Sequence, residues 1–277
     1  MMHNPSPGKH LFGVVGHPLQ QSLSPLIHNW GFSEHQLPCT YMAWSIEPQY
    51  LPHFSVALRT LPISGVSVTI PHKKSIMPYL DRLTHTAVRI GAINTLYWQE
   101  GEIWGENTDI TGFIAPLLSR TKNISSALIL GAGGAAKACL EGFRRIGIGD
   151  VWISSRDKSK AQAFAAWHGV SHAPWNRLEE MSADLLVNAT PMGMKGRQSE
   201  TTLPFIPEPH RFPLVYDLVY NPIRTKLLRE AEEAGCSTIY GLSMFIHQAT
   251  EQFRIWTGKE LPHQDLASML QEHLSLN

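Results

Sequence analysis

The sequence predicts an α/β protein of two domains, the first with a mainly parallel sheet and the second of the doubly wound nucleotide-binding kind. Three observations predict it. At 277 residues the chain exceeds what one hydrophobic core usually spans. Short apolar runs alternate with helical stretches, an order that favours parallel strands. Near the middle a glycine-rich turn stands between an apolar run and a helix.

In order along the chain, residues 11–15 read as a strand and 25–34 as a helix, with Pro25 suited to the first helical position and Ser24 to its cap. A second strand covers 40–46, a helix falls within 49–60, and a third strand over 65–70 stops at Pro71. Residues 94–98 and 102–104, joined through Gly101, read as a hairpin. A helix over 108–119 follows, and the polar, aperiodic stretch 121–126 is a candidate boundary. The second unit begins with a strand at 127–130, the turn, a helix to Arg145 and a strand at 151–154. Further strands fall at 184–188, 214–218 and 237–239, with a helix over 223–233. From Ser243 the chain reads helical to near its end, and that segment is expected to return to the first domain. The expected division is therefore 1–113 completed by 245–277, with 114–244 as the dinucleotide-binding domain.

Composition narrows the function classes. Lys plus Arg equals Asp plus Glu at 23 each, so net charge points to neither a nucleic acid nor a membrane surface. Hydrophobic residues at 43% and charged residues at 17% fit a folded globular chain rather than disorder. The 14 histidines are scattered without metal-ligand spacing, so no metal is expected. Cys39, Cys139 and Cys236 form no motif, and residues 1–10 are polar and Pro-rich without a signal-peptide core. No apolar run is long enough to span a bilayer. A cytoplasmic setting is the expectation; assembly is left open, a homodimer included.

The turn Gly131-Ala132-Gly133-Gly134-Ala135-Ala136 matches G-x-G-x-x-A in its strand–turn–helix context. Gly131 permits the turn, Gly133 lets backbone approach a pyrophosphate, and Ala136 allows close helix–sheet contact. The pyrophosphate would meet backbone N–H groups at the positive end of a helix. The second strand of this unit ends in Ser154-Ser155-Arg156, followed by Asp157-Lys158-Ser159-Lys160. Arg156 with Ser155 and Lys160 suits a 2′-phosphate and hence NADP. Asp157 is the counter-signal, because a carboxylate aimed at the ribose favours NAD. The plainer alternative for Arg156, Lys158 and Lys160 is a solvated helix start.

In the first domain, Ser22-Leu23-Ser24-Pro25 places two hydroxyls at a helix N-terminus, which can hold a carboxylate. From spacing alone, a capping Ser24 with an idle Ser22 is the simpler assignment. Ser67-Val68-Thr69-Ile70-Pro71-His72-Lys73 sets Thr69 and Lys73 at the carboxyl edge of the sheet, where α/β ligands bind. A lysine there can serve a reacting hydroxyl or ketone, although an isolated lysine is usually ordinary surface. Gly91-Ala92-Ile93-Asn94-Thr95 and Glu106-Asn107-Thr108-Asp109 add an amide and a carboxylate, the latter also suited to a helix cap.

The order of these motifs, with 188–194 (Asn-Ala-Thr-Pro-Met-Gly-Met), 217–222 (Asp-Leu-Val-Tyr-Asn-Pro), Gly241-Leu242-Ser243-Met244 and His247-Gln248, resembles the shikimate dehydrogenase family over about residues 11–258. The resemblance implies a substrate domain and an NADP-binding domain with the active site in the cleft between them. It implies Ser22, Ser24 and Tyr220 at a substrate carboxylate, and Thr69, Lys73, Asn94, Asp109 and Gln248 at ring hydroxyls. Lys73 and Asp109 match the family's catalytic pair. Gly131, Ala132, Gly133, Gly134, Ala135, Ser155, Arg156, Asp157, Lys158, Ser159, Lys160, Leu218 and Gly241 would contact NADP, with Met244 against the nicotinamide. The implied reaction is hydride transfer between NADPH and C3 of 3-dehydroshikimate, giving shikimate.

Four places depart from the family pattern. Ser67 stands where Asn is common, Gln21 where His is frequent, Ser155 and Asp157 where Asn and Thr are usual, and Ile110-Thr111 where Gly often follows the Asp. Two alternatives stay open: a quinate/shikimate or aminoshikimate dehydrogenase using NAD or both cofactors, and, more distantly, a non-catalytic NADP-responsive binding module.

Overall fold

A computed structural model describes residues 10–19, 22–195, 203 and 205–275. Residues 1–9 and Gln21, read above for signal-peptide character and for a family departure, lie outside the described residues. The first unit opens with strand β1 (His10–Gly16), helix α1 (Ser24–Glu34), β2 (Cys39–Ser45), α2 (Leu51–Thr60) and β3 (Ile63–Val68). It continues through α3 (His72–Ser75), β4 (Arg82–Leu83), α4 (His85–Ile90), β5 (Thr95–Gln99) and β6 (Glu102–Glu106). The sheet order is β2-β1-β3-β5-β6-β4. β1 lies parallel to both β2 and β3, whereas β5 runs antiparallel to β3 and to β6. The predicted hairpin is thus present, and Glu100 and Gly101, both at positive φ, supply the turn whose twist suits two adjoining strands.

The first core gathers Val15, Val66, Val68, Leu96 and Ile103 from the strands with Leu51, Phe54 and Leu58 from α2. The last three recur at i, i+3 and i+7, so one face of α2 is apolar. Burying each such side chain contributes about 1.5–3 kcal/mol.

In the second unit α5 (Asp109–Ile114) leads to β7 (Ser126–Leu130), α6 (Gly134–Ile146), β8 (Asp150–Ser154), α7 (Lys158–His168) and β9 (Ser171–His172). Then come β10 (Leu185–Asn188), β11 (Leu214–Asp217), α8 (Lys226–Glu233), β12 (Ser237–Ile239), α9 (Gly241–Thr257) and α10 (His263–Ser275). The order β12-β11-β10-β7-β8-β9, parallel at every pairing, is that of a doubly wound sheet with its switch point between β7 and β10. β10 and β11 are buried at every residue, as expected of strands covered on both faces. The helix expected over 108–119 is shorter: α5 stops at Ile114 and a 3₁₀ turn covers Ala115–Leu117. Pro116 explains the change, because it lacks an N–H and disfavours the α conformation of the residue before it.

By contacts, the first unit comprises Met1–Thr108 with Ala249–Pro262, and the second comprises Asp109–Gln248 with His263–Asn277. The C-terminal half of α9 therefore belongs to the first unit, where Phe253 packs beside Phe32 and the Trp256 indole donates to the Leu96 carbonyl. No helix among the described residues is long and apolar enough to cross a membrane. All three cysteines are unpaired.

Candidate active site

In the first unit the functional groups collect where β1 and β3 end and antiparallel β5 begins. Three backbone hydrogen bonds build that edge: Thr69 N–H to Val15 O, Val68 N–H to Asn94 O, and Ile93 N–H to Lys73 O. They hold Thr69, Lys73 and Asn94 on adjacent segments although the three are spread over 26 positions of sequence (94 − 69 + 1). Thr69 and Lys73 are half-buried and Asn94 is buried.

Asn94 is held by its own side chain. Its Oδ1 accepts from the Thr108 N–H and the Thr95 hydroxyl, each at 2.8 Å, and its Nδ2 donates to Thr108 Oγ1 at 2.9 Å. The segment 106–108 is accordingly a clamp on Asn94; Asn107 secures it further by donating to the Ala92 carbonyl.

Ser24 does not cap α1. The helix starts at Ser24 itself, Leu23 occupies the cap position, and no side-chain cap bond forms. It is Ser22 whose hydroxyl accepts the Ser24 N–H, at 3.4 Å. The Ser24 side chain is itself buried. Both serines therefore stand at the start of α1, where N–H groups lack intrahelical partners, but neither is the cap residue of the helix.

In the second unit, Asp109 is the first residue of α5 and Gln248 lies on α9. Gly112 brings the two helices together, since a Cβ there would approach Met244 O at 2.7 Å and Gln248 Cβ at 2.8 Å. Gln248 donates to the Phe245 carbonyl, and Phe245 stacks on Tyr220 with centroids 4.5 Å apart. Burial pushes the Tyr220 hydroxyl pKa up, so it is a neutral donor at physiological pH. Lys73 lies in the first unit and Asp109, Tyr220 and Gln248 in the second.

The glycine turn sits at the switch point. Gly131 has φ +104°, and a Cβ there would meet Thr190 Cγ2 at 2.9 Å, so this position demands glycine on both counts. Gly133 is the cap residue of α6 with no side-chain cap bond, and a Cβ on Gly133 or Gly134 meets nothing within 4 Å. The first N–H groups of α6 thus lack a side-chain cap, with Ala132 and Ala135 flanking, as a pyrophosphate site requires. Gly241 is fixed differently: a Cβ would fall 2.4 Å from Val219 O and 2.6 Å from Leu218 O, so α9 begins pressed against Leu218. Met244, one turn on, packs on the second core.

The strip after β8 gives Asp157 a local partner. Its Oδ1 accepts the Lys160 N–H at 3.0 Å, making Asp157 the cap of α7, and its own N–H donates to Ser155 Oγ. The cap bond occupies Oδ1 of the carboxylate. Arg156, Lys158, Ser159 and Lys160 are exposed beside it.

Sequence reasoning missed several residues. Asn188 and Asp217, at the ends of β10 and β11, share a 2.8 Å hydrogen bond; Asn188 also holds Thr190 and Met192, while Asp217 accepts from Thr225. Burial raises the Asp217 pKa to about 6. The run 188–194 signalled this loop, but only as a family motif. Tyr41 and Gln252, which reach the Ser24 and Asn94 surroundings, carried no signal.

A doubly wound domain with a bare glycine turn at its switch point, in one chain with a unit whose sheet edge collects hydroxyls, an amide and a lysine, defines a two-domain protein of the dinucleotide-binding class. Residues 14–96 match the shikimate dehydrogenase substrate binding domain and residues 241–270 the shikimate 5'-dehydrogenase C-terminal domain. The chain is 46% identical over 264 residues to a shikimate dehydrogenase (NADP(+)) of Maridesulfovibrio salexigens, covering 95% of this chain and 97% of that one. It superposes on the shikimate 5-dehydrogenase of Thermus thermophilus in complex with NADP(H) and shikimate, with TM-score 0.83 and 35% identity, covering 95% and 99% of the two chains. Quinate dehydrogenase of Corynebacterium glutamicum in complex with NAD superposes with TM-score 0.86 at 28% identity, covering 96% and 99%. The chain belongs to the shikimate dehydrogenase family.

Proposed function

We propose that this chain is an NADP-dependent shikimate dehydrogenase, an oxidoreductase acting reversibly on 3-dehydroshikimate and shikimate in the cytoplasm. The carrying observation is the 46% identity over 95% of the chain to a shikimate dehydrogenase (NADP(+)). The site supports it: the residues that match the family's substrate and catalytic positions are all present, and the first turn of α6 is bare. Bound NADP supplies the hydride acceptor, and NADPH the donor in the reverse direction.

The chain's own residues then have these roles. The N–H groups of residues 131–135 would hold the pyrophosphate, Ser155, Arg156 and Lys160 the 2′-phosphate, and Leu218, Gly241 and Met244 the nicotinamide end. Ser22, Ser24 and Tyr220 bind the substrate carboxylate through hydroxyl donors. Thr69, Asn94 and Gln248 fix the ring hydroxyls, which sets the C3 face. As negative charge grows on the C3 oxygen during reduction, the Lys73 ammonium donates a hydrogen bond and then its proton; in oxidation it takes that proton back. Asp109 is the second member of that catalytic pair.

The test is absorbance at the reduced-nicotinamide band with purified protein, shikimate, and NADP or NAD. NADP reduction at least tenfold faster than NAD reduction is the expected result. Comparable rates would move the assignment to a dual-cofactor enzyme. No reduction with shikimate, but reduction with quinate, would replace the substrate. No reduction with either would leave the non-catalytic NADP-responsive module.

A further inference from the structure

Ser67, which stands where the family commonly carries Asn, is at the centre of a buried hydrogen-bonded chain. Tyr41 donates to Ser67 Oγ at 2.6 Å, and Ser67 donates to Gln252 Oε1 at 2.7 Å. Gln252 Nε2 then donates to the Asn94 carbonyl at 2.8 Å and to Thr95 Oγ1 at 2.9 Å. Thr95 donates in turn to Asn94 Oδ1. Ser67, Asn94 and Gln252 are 5%, 3% and 2% exposed, so every bond in this chain is shielded from water.

The donors and acceptors allow one orientation only. A backbone carbonyl accepts and never donates, so the Gln252 amide must present Nε2 to Asn94 O. Its Oε1 then faces Ser67, which must donate to it and therefore accepts from Tyr41. Gln252 is the one member on α9, and it joins the β3 side of the chain to the Asn94 side. The amide in this chain comes from the helix and not from β3.

Resting on the shikimate dehydrogenase assignment, we propose that Gln252 is a positioning residue for substrate recognition: with Ser67 it replaces a single Asn of the family pattern and sets the orientation of Asn94 against the ring hydroxyls. Gln252 touches neither substrate nor cofactor; its effect passes through Asn94 and Thr95. A substrate-site effect without a cofactor effect follows, because none of its hydrogen bonds reaches the second unit's glycine turn.

The experiment compares wild type, Gln252→Ala, Gln252→Met and the double variant Ser67→Asn with Gln252→Ala. Gln252→Met keeps the buried volume, so it guards against loss of folding in Gln252→Ala. The readouts are KM for shikimate, KM for NADP, kcat and the thermal midpoint. Removing buried partners of this kind typically costs about tenfold in an equilibrium. The expected result is a KM for shikimate raised about tenfold in both single variants, a KM for NADP within twofold of wild type, and recovery of the shikimate KM in the double variant. A lowered midpoint with shikimate KM unchanged in Gln252→Met would make Gln252 a structural residue only and overturn the proposal. Raised KM in the single variants without recovery in the double variant would overturn the replacement of Asn. Absence of shikimate turnover in the wild type would instead overturn the assignment beneath it, and the proposal with it.

Discussion

The two sheet edges that face chemistry are built in opposite ways. At the carboxyl edge of the first sheet the assigned groups are side chains, themselves held by buried partners: Asn94 by Thr95 and Thr108, Ser67 by Tyr41 and Gln252. At the switch point of the second sheet the assigned groups are backbone N–H groups at a helix start with no side-chain cap, beside half-buried Ser155 and the exposed residues 156–160. A small polyhydroxylated ring has to be distinguished from near-isomers, and discrimination by hydrogen bonds needs groups that cannot turn away. A pyrophosphate is a generic, strongly charged group, for which bare N–H groups and a helix dipole suffice. The first edge is therefore specified residue by residue, and the second largely by backbone shape.

The sharpest test of that contrast is Lys73→Ala. It removes the group assigned to proton transfer from the first edge and leaves the second untouched. Loss of a general acid–base group typically costs about 10²- to 10⁴-fold in rate. The expected outcome is a fall of that size in kcat for shikimate oxidation, with NADP binding, read by fluorescence titration, within twofold of wild type. Near-full turnover in a folded variant would take the proton-transfer role away from Lys73.

The same contrast explains which parts were legible in the sequence. The second sheet was readable because backbone shape leaves residue signatures: glycine where φ is positive at Gly131, and continuous apolar runs where strands are buried on both faces. The short strands β4 and β9, two residues each, were too brief to show a period. In the first unit the candidate substrate residues were read from motifs, but their support was not. Ser67 and Gln252 meet across 185 positions, and nothing local in a helix such as 241–257 distinguishes a buried, fully bonded glutamine from a surface one. The cap expected at Ser24 fails for a related reason, since spacing shows that a serine precedes a proline but not that Leu23 takes the cap position.

Burial makes a second, smaller prediction about the first unit. His28 is fully buried, stacked on Tyr41 with centroids 4.5 Å apart, and beside Phe253 and Trp256. Desolvation lowers its pKa from 6.5 to about 3, and Gln252 nearby offsets only part of that. The unfolded chain takes up this proton as pH falls below about 6.5, while the folded chain resists until about pH 3. Stability associated with His28 is thus complete above about pH 6.5 and is lost as pH falls toward 3. At pH 5 the loss amounts to about 2 kcal/mol, from roughly 1.4 kcal/mol per pH unit. His28→Phe keeps a ring of similar size without the titration. Urea unfolding at pH 5 and pH 8 is expected to show the variant gaining about 2 kcal/mol on wild type at the lower pH relative to the higher. A pH-independent difference would mean that His28 does not stay neutral in the fold.

The smallest expected effect belongs to the exposed strip of the second unit, and it separates two meanings of one carboxylate. If Asp157 were the ribose ligand of an NAD site, Asp157→Ala would cut NAD use and improve NADP use. If it is the cap of α7, as the 3.0 Å bond from the Lys160 N–H indicates, the change costs helix stability instead. Replacing an aspartate cap by alanine typically costs about 1 kcal/mol. The expected outcome is that drop in unfolding free energy, with kcat/KM for NADP and for NAD each within about twofold of wild type. A change of tenfold or more in the ratio of NADP to NAD turnover would return Asp157 to the cofactor site. It would also weaken the contrast between the two edges, because a single side chain would then be selecting the ligand at the edge otherwise built from backbone.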